Sequence, residues 1–193
     1  TVADGFDLKI LATNWGFEGS MDAFCAKAKK EGYDGIENWW PGTEQEQQEM
    51  FDAVKNHDLE IGFLYGADES TSKEHFLTFK KILNIISSQQ IKKPLYINLH
   101  SGRDHFSFED NKKIVEYTLA LAKQTGIPIY HETHRGRMLF AAHTTASFLK
   151  AYPDLKLTLD ISHWCNVHES LLHDLEAAVT SAGLTPNAPR RVA

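Results

Sequence analysis

The sequence predicts an α/β fold in which parallel strands form a (β/α) barrel. Two observations lead there. Short β-type runs alternate with amphipathic helical runs in six successive pairs, which is the pattern of parallel strands joined by right-handed crossovers. Several of the β-type runs also stop in acidic and imidazole side chains, where ligand-binding residues of barrels sit, at the carboxyl ends of strands. An open doubly wound sheet would use the same elements. It is disfavoured because Gly16-x-x-Gly19 lacks the rest of a phosphate-binding glycine fingerprint.

The elements follow in order. Leu8 to Thr13 reads as the first strand and leads into Asn14-Trp15-Gly16. Ser20 is suited to N-cap a helix running to Glu31, which Gly32 ends. Tyr33 to Trp39 forms a second strand, and Thr43 with Glu46 has capping-box spacing for a helix reaching His57. The third strand spans Leu59 to Tyr65. Thr71 with Glu74 repeats the capping pattern, and Phe76, Phe79, Ile82, Leu83 and Ile86 recur at helical spacing as a buried face. Leu95 to His100 is the fourth strand, followed by a helix from Ser107 to Gly126 with Ile114, Val115, Tyr117 and Leu121 inward. Ile127 to Glu132 is the fifth strand, and Arg137 to Ala151 the next helix. Leu155 to Asp160 is the sixth strand, and Asn166 with Glu169 predicts a sixth helix ending near Ala182.

Gly183 to Pro189 is turn-like, and the chain ends at Ala193 where a seventh strand would begin. Six strands of a barrel cannot close, and would leave open edges and an apolar interior. The expectation is therefore a single (β/α) TIM-barrel domain over residues 1–193 that is incomplete at its C-terminus. Either it is a fragment, or part of the protein lies outside this sequence, or another copy closes the sheet in a homo-oligomer through its open barrel edges.

Composition narrows the function. The chain has 193 residues, 42% hydrophobic and 24% charged, as in a folded globular domain. Its net charge of -6 disfavours a general nucleic-acid binder, although Arg103, Arg135 and Arg137 form a local basic group. Cys25 and Cys165 are too few for a disulfide framework and read as free thiols. No apolar run is long enough to cross a membrane, and no signal peptide is visible, so a cytoplasmic home is expected.

Candidate chemistry concentrates on the last two strand ends. Strand alternation puts Tyr130, Glu132 and His134 on one face, and His131 and Thr133 on the other. A carboxylate facing a barrel lumen must be paired, protonated or metal-bound. Asp160 meets the same condition, and a turn after it can bring His163 back toward its carboxylate. Glu132, Asp160 and His163 offer the mixed oxygen and nitrogen donors that Mn, Zn, Co or Mg accept. The alternative is that Glu132 pairs with Arg135 or Arg137 and that His163 is structural. Glu37 and His100, at the ends of the second and fourth strands, are further candidates for substrate contact, as are His134 and Arg137. Trp15, Trp39, Trp40 and Trp164 lie near strand ends and offer either an apolar wall to a polyol site or packing. His168 and His173 read as surface or packing residues.

At these residues the sequence resembles the xylose-isomerase-like barrel superfamily, which contains sugar isomerases, ketose 3-epimerases, inosose dehydratases, hydroxypyruvate isomerases and the related apurinic-site endonucleases. The resemblance is carried by Gly35-Ile36-Glu37, Asn98-Leu99-His100-Ser101-Gly102, His131-Glu132-Thr133-His134 and Leu159-Asp160-Ile161-Ser162-His163-Trp164. It implies that Glu132 is both a metal ligand and one of two carboxylates moving protons beside a carbonyl, and that Asp160 is a second ligand. It implies that His163 holds substrate or a second metal, and that His100 matches a metal-binding histidine of the endonuclease-like members. The superfamily also expects a histidine ligand on strand seven and a glutamate ligand on strand eight, which this chain does not supply. The implied protein is a metal-dependent isomerase or epimerase of a small sugar, polyol or hydroxy-carbonyl compound. A metal-dependent phosphodiesterase or endonuclease and a non-catalytic barrel fragment are the alternatives.

Overall fold

The computed structural model describes residues 7–170 and 191–192. Among them the chain is an α/β protein of the parallel (β/α)-barrel class with six strand–helix units. The first three strands are β1 (Leu11–Thr13), β2 (Gly35–Trp39) and β3 (Glu60–Gly66), and the helices that follow them are α1 (Met21–Lys30), α2 (Glu44–Asn56) and α3 (Ser72–Ser88). Then come β4 (Ile97–His100), α4 (Phe108–Thr125), β5 (Ile129–Glu132), α5 (Ala142–Ala151), β6 (Leu157–Leu159) and α6 (Ile161–His168). A two-residue strand, β7 (Arg191–Val192), pairs in parallel with β6.

Contacts group the described residues into two compact units. The first holds those up to Leu64 together with Gln89–Tyr96, and the second holds Tyr65–Ser88 and those from Ile97 onward. In the first unit β1, β2 and β3 pair in parallel and in chain order, with Ala12 opposite Ile36 and Ile36 opposite Ile61. The Ser20 hydroxyl caps α1, and Thr43 with Glu46 forms a complete capping box on α2. Phe24, Cys25, Met50, Phe51, Ile61 and Phe63 are buried there, and Trp40 packs edge-on against Phe51 and Phe63. Gly35 has no alternative, because a Cβ would lie 2.4 Å from the Glu60 carbonyl oxygen.

In the second unit β4, β5 and β6 pair in parallel, with Leu99 opposite His131 and His131 opposite Leu157. Helix α3 buries Phe79, Leu83 and Ile86 as its spacing predicts, together with His75. Helix α4 runs between the Ser107 cap and Gly126, whose φ of 65° is the left-handed end that glycine favours. The core beneath α4 and α5 is Val115, Met138, Leu139, Phe148, Leu149 and Leu155.

Two helix starts differ from expectation. Helix α5 begins at Ala142, not at Arg137, and its N-cap Ala141 makes no side-chain capping bond. The intervening residues are held as a loop by tertiary contacts: the Met138 N–H donates to the Ser101 carbonyl at 3.0 Å, and Met138 and Leu139 are buried. The helix after β6 starts at Ile161, capped by Asp160, so Asn166 and Glu169 do not open it. Glu169 instead closes α6 in the left-handed conformation, with φ 48°. The extension to Ala182, His173 and the turn-like 183–189 segment lie outside the described residues.

Candidate metal centre

Strand alternation decides which side chains meet. His131 points away from the candidate cluster into the second unit's core, with its ring between Ser101 Oγ at 2.7 Å and Thr118 Oγ1 at 2.9 Å. The Thr118 hydroxyl donates to the Val115 carbonyl, so it accepts from the His131 Nε2–H, and Nδ1 accepts from Ser101. Burial pushes this imidazole down to about 3, and it is neutral and structural. The neighbouring position, Glu132, faces the other way.

Glu132 Oε2 accepts from the Asn98 amide at 2.7 Å and lies 3.1 Å from His100 Nε2. Asn98 and His100 are two residues apart on β4, so the pleat presents both on one face. Burial raises the Glu132 carboxyl, but the His100 ring and the Asn98 amide outweigh it and hold the group below the usual carboxylate range. It is therefore ionised at neutral pH. The expected alternative of an ion pair to Arg135 or Arg137 is not what forms. The Arg137 guanidinium bonds to the Ala67 carbonyl and, at 2.8 Å, to Asp68.

Asp160 is placed by Thr133. That buried hydroxyl donates to the Asp160 carbonyl at 3.0 Å and accepts from the Asp160 N–H at 2.9 Å. Asp160 Oδ1 then caps α6 through the Ser162 N–H and hydroxyl, at 2.9 and 2.6 Å. Oδ2 lies 3.6 Å from Nε2 of His163, on the first turn of that helix. Partial burial raises the Asp160 carboxyl, yet the Ser162 bonds and the His163 ring lower it further, so it too is ionised. The turn expected to carry His163 back to Asp160 is thus the first turn of α6. Trp164 fixes that helix by donating to the Leu139 carbonyl at 3.0 Å.

His134 lies between the other imidazoles, its ring centre 4.3 Å from that of His100 and 3.7 Å from that of His163. Its Nδ1 is 2.6 Å from the Arg135 carbonyl, an acceptor, so Nδ1 carries the hydrogen and Nε2 keeps the lone pair. Burial, with the neighbouring His100 and His163 rings, lowers its proton affinity against the Arg135 carbonyl and Glu132.

The outcome is two donor groups sharing Glu132. Ligand atoms of Glu132, Asp160 and His163 lie within 4.8 Å of one another, and so do those of His100, Glu132 and His134. Each group can chelate a divalent metal ion, and the oxygen and nitrogen donors suit Mn, Zn, Co or Mg. A buried atom here supports that fit: among the described residues, His163 Nδ1 has no hydrogen-bond partner. Glu37 and Trp15, also expected at a site, belong to the first unit. There Glu37 accepts from the Tyr96 hydroxyl at 2.6 Å, and Trp15 is 68% exposed.

Comparison with protein-family models and with curated proteins finds no match. Solved structures do match. A probable 3-DHS dehydratase, AsbF, involved in petrobactin synthesis in Bacillus anthracis, superposes with a TM-score of 0.62 at 17% identity, over 91% of this chain and 70% of that one. A xylose isomerase-like TIM barrel protein from Mycobacterium smegmatis in complex with magnesium gives 0.58 at 12% identity, over 90% of this chain and 71% of that one. The chain has a partial parallel (β/α) TIM-barrel fold. Six of the usual eight strand–helix units are present among the described residues. The carboxyl transferase domain of Rhizobium etli pyruvate carboxylase, with pyruvate and biocytin, also matches, with a TM-score of 0.58 at 17% identity, over 88% of this chain and 28% of that one.

On this partial barrel, sequence reading left two positioning residues without a role. Asn98 holds Glu132, and its signal was the two-residue spacing to His100. Thr133 holds Asp160, and as a buried threonine at a strand end it carried no signal of its own. The expected tryptophan wall separates into individual roles: Trp40 and Trp164 pack, and Trp39 and Trp15 are exposed. No helix among the described residues is long and apolar enough to cross a membrane.

Proposed function

We propose that the protein is a metal-dependent isomerase or epimerase that moves a proton at the carbon beside a carbonyl of a small sugar, polyol or hydroxy-carbonyl compound. The observation that carries this is Glu132, one ionised carboxylate shared by both donor groups. Glu132, Asp160 and His163 are the metal ligands. When bound, the ion supplies Lewis acidity to substrate oxygens and acidifies the neighbouring C–H.

The chain's own residues perform the rest. Glu132 takes the proton from the carbon, while the Asn98 amide holds its orientation. His134 presents its Nε2 lone pair to a substrate hydroxyl proton and is the second proton-transfer group. His100 and His163 orient hydroxyls, and Arg137 orients the far end of the substrate. The free thiols Cys25 and Cys165 suit a reducing compartment such as the cytoplasm.

The test is proton exchange. With Mg²⁺ in D₂O, a panel of aldoses, ketoses and hydroxy acids is followed by ¹H NMR for loss of the signal beside the carbonyl. One class should exchange, and Glu132→Gln should slow that exchange by about 10²-fold or more. No exchange by metal-loaded protein on any of these compounds would sink the reading. A second reading, a metal-dependent phosphodiesterase, is favoured by the second donor group of His100, Glu132 and His134. It predicts two ions per chain and hydrolysis of bis(p-nitrophenyl) phosphate, where the isomerase reading predicts one ion and no hydrolysis.

A further inference from the structure

We propose that Arg103 and Arg137 form a cradle for a substrate carboxylate, which the loop carboxylate of Asp68 fills as a stand-in until substrate displaces it. This rests on the proton-transfer reading above and adds to it a substrate class: a sugar acid or polyol acid with a free carboxylate.

Both guanidiniums end on one oxygen. Arg137 Nη2 is 2.8 Å and Arg103 Nη1 3.0 Å from Asp68 Oδ1. The exposures are unequal, since the Arg137 and Arg103 side chains are 11% and 29% exposed while that of Asp68 is 82% exposed. Two sheltered cations thus meet an anion that sits on the solvent side and can leave. The Asp68 end of the pair is open to water, which competes for its carboxylate and leaves it exchangeable. The guanidinium fork is built to grip a carboxylate through two parallel N–H bonds, yet here each arginine gives Asp68 a single one. Donor capacity remains, because Arg103 Nε is buried without a hydrogen-bond partner among the described residues.

The cradle adjoins the donor groups through the backbone. Arg103 follows His100 by three residues, and Arg137 follows His134 by three, its own N–H donating to the His134 carbonyl at 3.1 Å. Arg137 also bonds to the Ala67 carbonyl, so it holds the β3–α3 loop that carries Asp68. Glu69, the next carboxylate, lies 3.7 Å from His75 Nδ1 and stays when Asp68 leaves. Replacing Asp68 by a substrate carboxylate therefore keeps the local count at two cations and two anions. A neutral sugar would leave the cradle to Asp68.

The experiment is an NMR chemical-shift titration of the full chain with D-gluconate and with its neutral counterpart, sorbitol. No metal is added, so chelation by gluconate does not contribute. Gluconate should bind at least about tenfold more tightly than sorbitol. Asp68→Ala, a change at an exposed position, should tighten gluconate by about tenfold and leave sorbitol unchanged. Arg103→Lys, which keeps the charge but loses the fork, should weaken gluconate. Equal binding of the two compounds, no binding of either, or an Asp68→Ala protein that binds gluconate no better than wild type would overturn the proposal. Failure here leaves the proton-exchange reading standing, and failure of proton exchange leaves this titration's result untouched.

Discussion

Glu132 shows how one residue's surroundings select its chemistry. Burial alone raises its proton affinity, and the net shift is downward because His100 and Asn98 sit on the same oxygen. A ligand whose orientation depends on a neighbour loses affinity when that neighbour is removed. Asn98→Ala should therefore weaken Mn²⁺ binding by about 10–100-fold, as calorimetry would measure, with the circular dichroism spectrum unchanged. Equal affinity in the variant would mean that Asn98 does not position the ligand. At this scale the sequence was legible wherever period two applied: Glu132 and His134 on one face and His131 on the other follow from alternation alone. Thr133 was not legible, because its role depends on a strand 25 residues away in the chain.

At the element scale, caps written in local sequence appear as read: Ser20, Thr43 with Glu46, Ser107, and Gly126 at the end of α4. The start of α5 was misread because Ala141 carries no capping side chain and buried Met138 and Leu139 look helical in sequence. The start of α6 was misread for a different reason. Asp160 was weighed as a ligand, and it is a ligand candidate with one oxygen and an N-cap with the other. The loop after β4 also has a strict local requirement. Gly102 has φ 62°, and a Cβ there would meet Asn111 Oδ1 at 2.1 Å. Asn111 holds that loop through the Arg103 N–H and the Arg103 carbonyl. Gly102→Ala should destabilise by about 1–3 kcal/mol, read as a lower urea midpoint, and should weaken gluconate binding through Arg103. An unchanged midpoint would mean that the loop has room that this geometry denies.

For the whole molecule, two buried histidines outside the candidate centre contribute to the loss of stability in acid between about pH 6.5 and 4. His75 is fully buried between Phe79 and Phe106, neither ring nitrogen has a hydrogen-bond partner among the described residues, and burial lowers it to about 4. Burial lowers His131 to about 3. Both take up protons near 6.5 when unfolded, so the unfolded chain binds more protons as pH falls below that value. Stability should thus drop on acidification, by about 1.4 kcal/mol per pH unit for each histidine, until the folded values are reached. His75→Phe removes no hydrogen bond and should be neutral or stabilising at pH 7, with a shallower fall in the urea midpoint between pH 6 and 5. A fall as steep as in wild type would show that His75 is not the group responsible.

The alternation of β and α runs determined the fold class, the parallel strand order and the strand ends that carry donors, because hydrophobic period and turn residues are local properties of a chain. Which oxygen of Asp160 faces His163, which amide holds Glu132, and that Arg137 grips Asp68 rather than Glu132 were decided only in three dimensions. The last two pairings join residues tens of positions apart, and the first depends on how α6 starts, so their selection depends on competing burial and charge in the folded chain.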